Sequence, residues 1–184
     1  MTKSWWDELL DFLAGLWAQP AGAPAEASAG VAVPICATGY DRDAEEAGKR
    51  VAIVAFCEEQ LGKPYLFGTE CDPAGPACDT WDCSELTENA YDRAGVRLPD
   101  GSGAQRAFCR RVLEPKAGDL GFLDPNAHGV GHVELYDGAG STIGAEGVKA
   151  KAVRRIPRTW IETHPRFAGW YRHPNFALPL EERA

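Results

Sequence analysis

A change of hydrophobic period partway along this chain of 184 residues constrains its fold more than any other feature. Up to about residue 95 apolar side chains recur at helical spacing, and beyond residue 118 they alternate. From Asp41 to Leu61 the pattern predicts a helix with Val51, Ile53, Val54, Phe56, Cys57 and Leu61 largely buried, stopped by Gly62 and Pro64. A second helix should start at Asp82, an N-cap residue with Glu85 three positions on as a capping-box partner. Leu86, Ala90 and Ala94 then form a stripe along one face, and Gly95 ends it. After the turn at Gly118 and Asp119, a strand should begin at Leu120 and run to Leu123. Residues 132–136 (HVELY) alternate, Asp137 to Gly140 turn, and 141–145 return, which predicts a β-hairpin. Further strands are expected over 149–156 and 169–173. Helices first and antiparallel strands afterwards define the α+β class.

Residues 1–17 stand apart. Trp5, Trp6, Leu9, Leu10, Leu13, Leu16 and Trp17 share one helical face, with Asp7, Glu8 and Asp11 on the other. Such a helix either docks on a partner assembly through Trp5, Trp6, Leu9, Leu13 and Trp17 or packs back on its own domain. Its acids argue against a secretory signal and against binding to anionic membranes. Residues 18–40 are rich in Ala, Gly and Pro and read as a linker. That leaves 41–175 as the principal domain and 176–184 as a tail. No stretch reaches the 18 or more apolar residues expected of a membrane span. The net charge of −8 opposes binding of nucleic acid through overall charge. Arg154, Arg155 and Arg158 read as solvated surface.

Six cysteines occur, at 36, 57, 71, 78, 83 and 109, and none has the spacing of a zinc site, so neither a metal nor another cofactor is expected. Cys71 and Cys78 bracket a Pro/Gly loop and are either a disulfide or a reduced pair. Cys57 lies in an apolar run and reads as a buried thiol. Cys83 differs, because it occupies the first helical position behind the Asp82 cap. The positive end of a helix favours the anionic, nucleophilic form of a thiol. A thiolate nucleophile also needs a base, usually histidine. His132 opens an alternating strand and offers rigid placement, whereas His128 sits in a turn. Gly129 and Gly131 oppose a helical metal-binding pair of these two histidines.

Four segments in order strengthen this dyad. WDCSELTENAYDRAGVRLP (81–99) resembles the nucleophile segment of the NlpC/p60 family of papain-like cell-wall cysteine peptidases. LGKPYLFG (61–68), KAGDLGFL (116–123) and GHVELYDGAG (131–140) resemble that family's other motifs, and together they cover about residues 45–160. The resemblance implies a papain-like α+β fold and a peptidase that attacks peptidoglycan stem peptides, with the D-Glu/diamino-acid bond as the expected point of attack. It implies that Cys83 attacks the scissile carbonyl and His132 handles the proton. Tyr65 would stand near the oxyanion or the nucleophile, and Asp82 and Ser84 would hold the free amine of the stem peptide.

Three positions depart from the family pattern. Glu85 and Glu134 stand where the family usually has glycine. The polar residue that orients the imidazole is expected at position 144, which is Gly144. Glu146, two residues on and on the same strand face, is the expected substitute, and Glu134, which shares a face with His132, is the second candidate. Gly144 also leaves open a non-catalytic wall-binding module. An amidase or acyl-transfer effector with the same dyad is a further alternative. The expected location faces a cell wall, outside the cell or on a virion or similar assembly; carriage by a phage tail or injection device would suit the tryptophan-rich leader.

Overall fold

The computed structural model describes residues 42–176 apart from Pro73 and Val130. Residues 1–41 and 177–184 lie outside the described residues, and with them the expected docking helix and linker.

Helix α1 (Arg42–Glu59) is followed by α2 (Cys83–Arg93) and the short α3 (Ser102–Phe108). Strands β1 (Arg110–Val112), β2 (Leu120–Leu123), β3 (His132–Tyr136), β4 (Ser141–Glu146) and β5 (Ala152–Pro157) come next. Helix α4 (Arg158–Glu162) and strand β6 (Phe167–Arg172) complete the domain. The strands form one sheet in the order β1-β6-β2-β3-β4-β5. Every neighbouring pair is antiparallel.

Period-two alternation divides the sheet's side chains between two clusters. Leu120, Phe122, Val133, Leu135, Ile143, Ala145 and Val153 join Ile53, Phe56 and Cys57 of α1 and Leu86, Ala90 and Tyr91 of α2. Leu123, Tyr136 and Trp170 join Ile161 of α4 in the smaller cluster. Each large apolar side chain so buried stabilises the fold by about 1.5–3 kcal/mol relative to exposure.

Helix α1 ends at Glu59, short of the expected Leu61, and its buried face holds Ile53, Phe56 and Cys57 as expected but takes in Arg50 and leaves out Val51. Val51 is 69% and Leu61 40% exposed, whereas Arg50 is buried. The cause is a buried carboxylate: Arg50 Nη1 reaches Asp119 Oδ1 at 2.9 Å, and an apolar side chain could not meet that need. Strand β5 runs over 152–157 rather than 149–156, because residues 147–150 form a turn. The short elements α3, β1 and α4 carry too few residues for a readable period. Cys71 and Cys78 are disulfide-bonded, and Cys57 and Cys109 are buried thiols.

Candidate active site

The start of α2 is fixed by its cap. Asp82 has extended backbone (φ −98°, ψ 176°), and its Oδ1 accepts from the Glu85 amide at 2.8 Å. Glu85 does not complete the expected capping box. Its carboxylate instead accepts from the Cys71 amide at 2.7 Å and from Asn89 Nδ2 at 2.9 Å, tying the disulfide loop to the helix. Asp82 Oδ2 accepts from the Gly68 amide at 3.1 Å, and Ser84 Oγ donates to Asp82 Oδ1 at 3.1 Å. Asp82 therefore caps the helix and anchors the preceding loop together. Cys83 is held at the first helical position, 8% exposed.

Strand β3 delivers His132 to this helix start, where its ring and the Cys83 sulfur line one cleft and interact electrostatically. On its other side Nε2 lies 2.7 Å from Glu134 Oε1. Burial opposes protonation of this imidazole, but the hydrogen bonds and negative charge of Cys83 and Glu134 outweigh it, and its pKa is pushed up to about 10. The ring is thus held as an imidazolium across the neutral range, poised to give a proton away.

Tyr65 lines the same cleft, its backbone bridged to Trp81. Burial, with the nearby charges of Cys83 and Asp82, raises its pKa to about 12, so the phenol stays a hydrogen-bond donor. Its ring lies so close over Gly147 that a Cβ there would come within 2.6 Å. Glu146 also borders the cleft, but its Oε2 accepts from Arg154 Nη1 at 2.8 Å, while Glu134 takes the contact with the His132 ring that Glu146 was expected to make. The other histidines divide clearly. His128 is an exposed turn residue, and His173 is buried with Nε2 2.9 Å from the Arg97 carbonyl. His164 borders the cleft, its pKa lowered by burial and by the neighbouring charges of Arg166 and His132.

The cleft encloses about 670 Å³. Glu70, Asp82 and Asp100 supply acidic groups to its wall, and Lys149 and Arg166 supply basic ones. Asp100, Trp160, His164 and Arg166 carried no motif that marked them in the sequence. The cleft thus brings together a cysteine at a helix start and a sheet-borne imidazole backed by a carboxylate, on an α+β frame.

The chain belongs to the NlpC/P60 family, whose profile matches residues 62–164. Over 102 residues it is 40% identical to the probable endopeptidase p60 of Listeria innocua, a match covering 53% of this chain and 20% of that protein. Over 108 residues it is 33% identical to the peptidoglycan endopeptidase RipB of Mycobacterium tuberculosis, covering 54% and 44% respectively. The chain therefore spans less than half the length of these curated relatives. Among solved structures, that of RipB aligns with a TM-score of 0.58 at 26% identity, over 89% of this chain and 77% of the other. The P60 domain of a Mycobacterium avium subspecies paratuberculosis antigen gives 0.59 at 25% identity, over 72% and 98%.

Proposed function

We propose that this chain hydrolyses peptide bonds in the stem peptides of peptidoglycan through a covalent thioester, with Cys83 as nucleophile and His132 as general acid and base. The observation that carries the proposal is that Cys83 at a helix start and the His132 ring, with Glu134 on its Nε2, line one cleft. The Cys83 sulfur adds to the scissile carbonyl carbon, and the negative charge moves to the carbonyl oxygen, where the Tyr65 hydroxyl is a candidate donor. As the C–N bond breaks, the imidazolium gives its proton to the leaving nitrogen. The neutral ring then takes a proton from water as its oxygen adds to the thioester, and the sulfur leaves from the carboxylic acid product.

The charges along the cleft support a short peptide that carries both an amine and a carboxylate. Asp82, Glu70 and Asp100 favour an ammonium group, with Asp82 and Ser84 beside the nucleophile to receive it, and Lys149 and Arg166 favour a carboxylate. A stem peptide cut at its D-Glu/diamino-acid bond has both. The name of the peptidoglycan endopeptidase RipB supports the same substrate, and those of the probable endopeptidase p60 and of the γ-DL-glutamyl hydrolase of Bacillus subtilis, 28% identical over 142 residues, support hydrolysis of peptide and glutamyl bonds. Gly144 loses its weight as a reason for a non-catalytic module, since the ring has a carboxylate partner from elsewhere.

Purified protein incubated with wall sacculi should release peptide fragments identifiable by mass spectrometry, and Cys83→Ala should release none. Release of whole stem peptides from glycan would instead identify an amidase, and equal turnover by Cys83→Ala would discard the proposal. The tryptophan-rich sequence of residues 1–17 supports delivery by a carrier such as a phage tail. Competition by a peptide of those residues for the carrier is the matching test.

A further inference from the structure

Position 144 is glycine although its backbone does not require one, since Gly144 is absent from the residues with positive φ. Space is the reason. A Cβ built on Gly144 would lie 2.5 Å from the Glu134 carboxyl carbon and from Oε2, and 2.6 Å from Oε1. Strands β3 and β4 pair Leu135 with Ile143 and Tyr136 with Thr142, and continuing that register by one residue sets Glu134 opposite Gly144. The Glu134 side chain folds across the neighbouring strand into the room where a side chain from 144 would stand. There it is 1% exposed, with Oε1 on His132 Nε2 at 2.7 Å. Its Oε2 is buried with no hydrogen-bond partner among the described residues. A buried carboxylate left half satisfied is costly, and the interaction that offsets the cost is the one with the His132 ring.

We infer that Glu134 is the positioning residue for His132, and that Gly144 exists to make room for its carboxylate, so that the orienting group comes from the histidine's own strand. This rests on the thiol–imidazole reading of the site and goes beyond it by assigning the third member. The groups that act on the ring's charge are Cys83 from α2 and Glu134 from β3, and the ring in turn lowers the pKa of His164, which follows α4. Glu134 fixes the ring plane through one charge-assisted hydrogen bond and stabilises the imidazolium that faces the sulfur.

Two variants of the full chain test this by different routes. Glu134→Gln keeps an acceptor for Nε2 but removes the charge. Gly144→Ala leaves Glu134 in the sequence and evicts its carboxylate; the group displaced is the far end of a flexible side chain, so the fold should persist. With labelled histidine, NMR should place the His132 ring titration near 10 in the parent. It should fall by about one to two pH units in both variants. Wall hydrolysis should drop about tenfold or more in Gly144→Ala. Glu134→Gln should lose less, because orientation survives without charge. An unmoved ring titration in both variants, each folded by circular dichroism, overturns the inference whatever the wall assay reads. A moved titration in a parent that cuts no wall retires the peptidase proposal and leaves this one standing.

Discussion

Two carboxylates are buried in the same sheet, one just before β2 and one on β3, and they are satisfied in opposite ways. Asp119 is completely enclosed and accepts from Arg172 Nε and Nη2, from Arg50 Nη1 and from the Lys116 amide, at 2.7–3.1 Å. Both of its oxygens are used by groups that do nothing else in the cleft. Glu134 has one imidazole on one oxygen and, among the described residues, no hydrogen-bond partner on the other. Full pairing by guanidinium groups makes a structural joint, here linking α1, the β2 turn and β6. Partial pairing to a group that must change its proton count marks a site.

The largest effect that could break this contrast is on stability. Asp119→Ala would leave the Arg50 and Arg172 guanidiniums buried without their counter-charge, and removal of one member of such a network costs about 3–5 kcal/mol. The urea midpoint should fall sharply, and residual folded protein at low denaturant should keep an intact dyad. Glu134→Gln should change stability by only about 1 kcal/mol, since the amide oxygen still accepts from Nε2, while hydrolysis suffers. Should Asp119→Ala unfold no earlier than Glu134→Gln, the division into joint and site fails.

A smaller effect sharpens the contrast through pH. The folded His132 titrates near 10, above its unfolded value of about 6.5. A raised pKa means that the folded state binds more protons between those values, so the stabilisation is complete below about pH 6.5 and disappears as pH rises through about 10. Urea midpoints of the parent should therefore lose ground to those of Glu134→Gln as pH rises from 6.5 to 10. A constant difference across that range would show that Glu134 does not govern the ring's charge.

The sequence revealed the site more readily than the joint. Asp82, Cys83 and the end of α2 at Gly95 were legible because capping is local, and the 132–145 hairpin was legible because alternation and a Gly-containing turn are local too. That hairpin also implied its register, and the register sets Glu134 opposite Gly144. The two departures from the family pattern could thus have been read as one exchange between strands. Glu146 follows from the family pattern, which keeps the ring partner on the return strand, because it shares the face of position 144. The Asp119 network was not legible, because Arg50 and Arg172 lie 69 and 53 residues from their acid and leave no period to follow. Nothing local sets Arg50 apart from the other charged residues of α1.

Glu146 gives the finest test of the distinction. Continuing the β3–β4 register sets it opposite His132, yet its carboxylate turns to Arg154 on β5, whose side chain is 44% exposed. An ion pair that open to water contributes about 0–1 kcal/mol. Glu146→Gln should therefore shift the urea midpoint little, leave the His132 ring titration where it is, and reduce hydrolysis by less than Glu134→Gln does. Any loss should appear in KM rather than kcat, because Glu146 borders the cleft while its carboxylate is paired with Arg154. If Glu146→Gln instead lowers the ring titration as far as Glu134→Gln, the imidazole answers to the return strand, and Glu134 becomes a buried carboxylate with no task of its own.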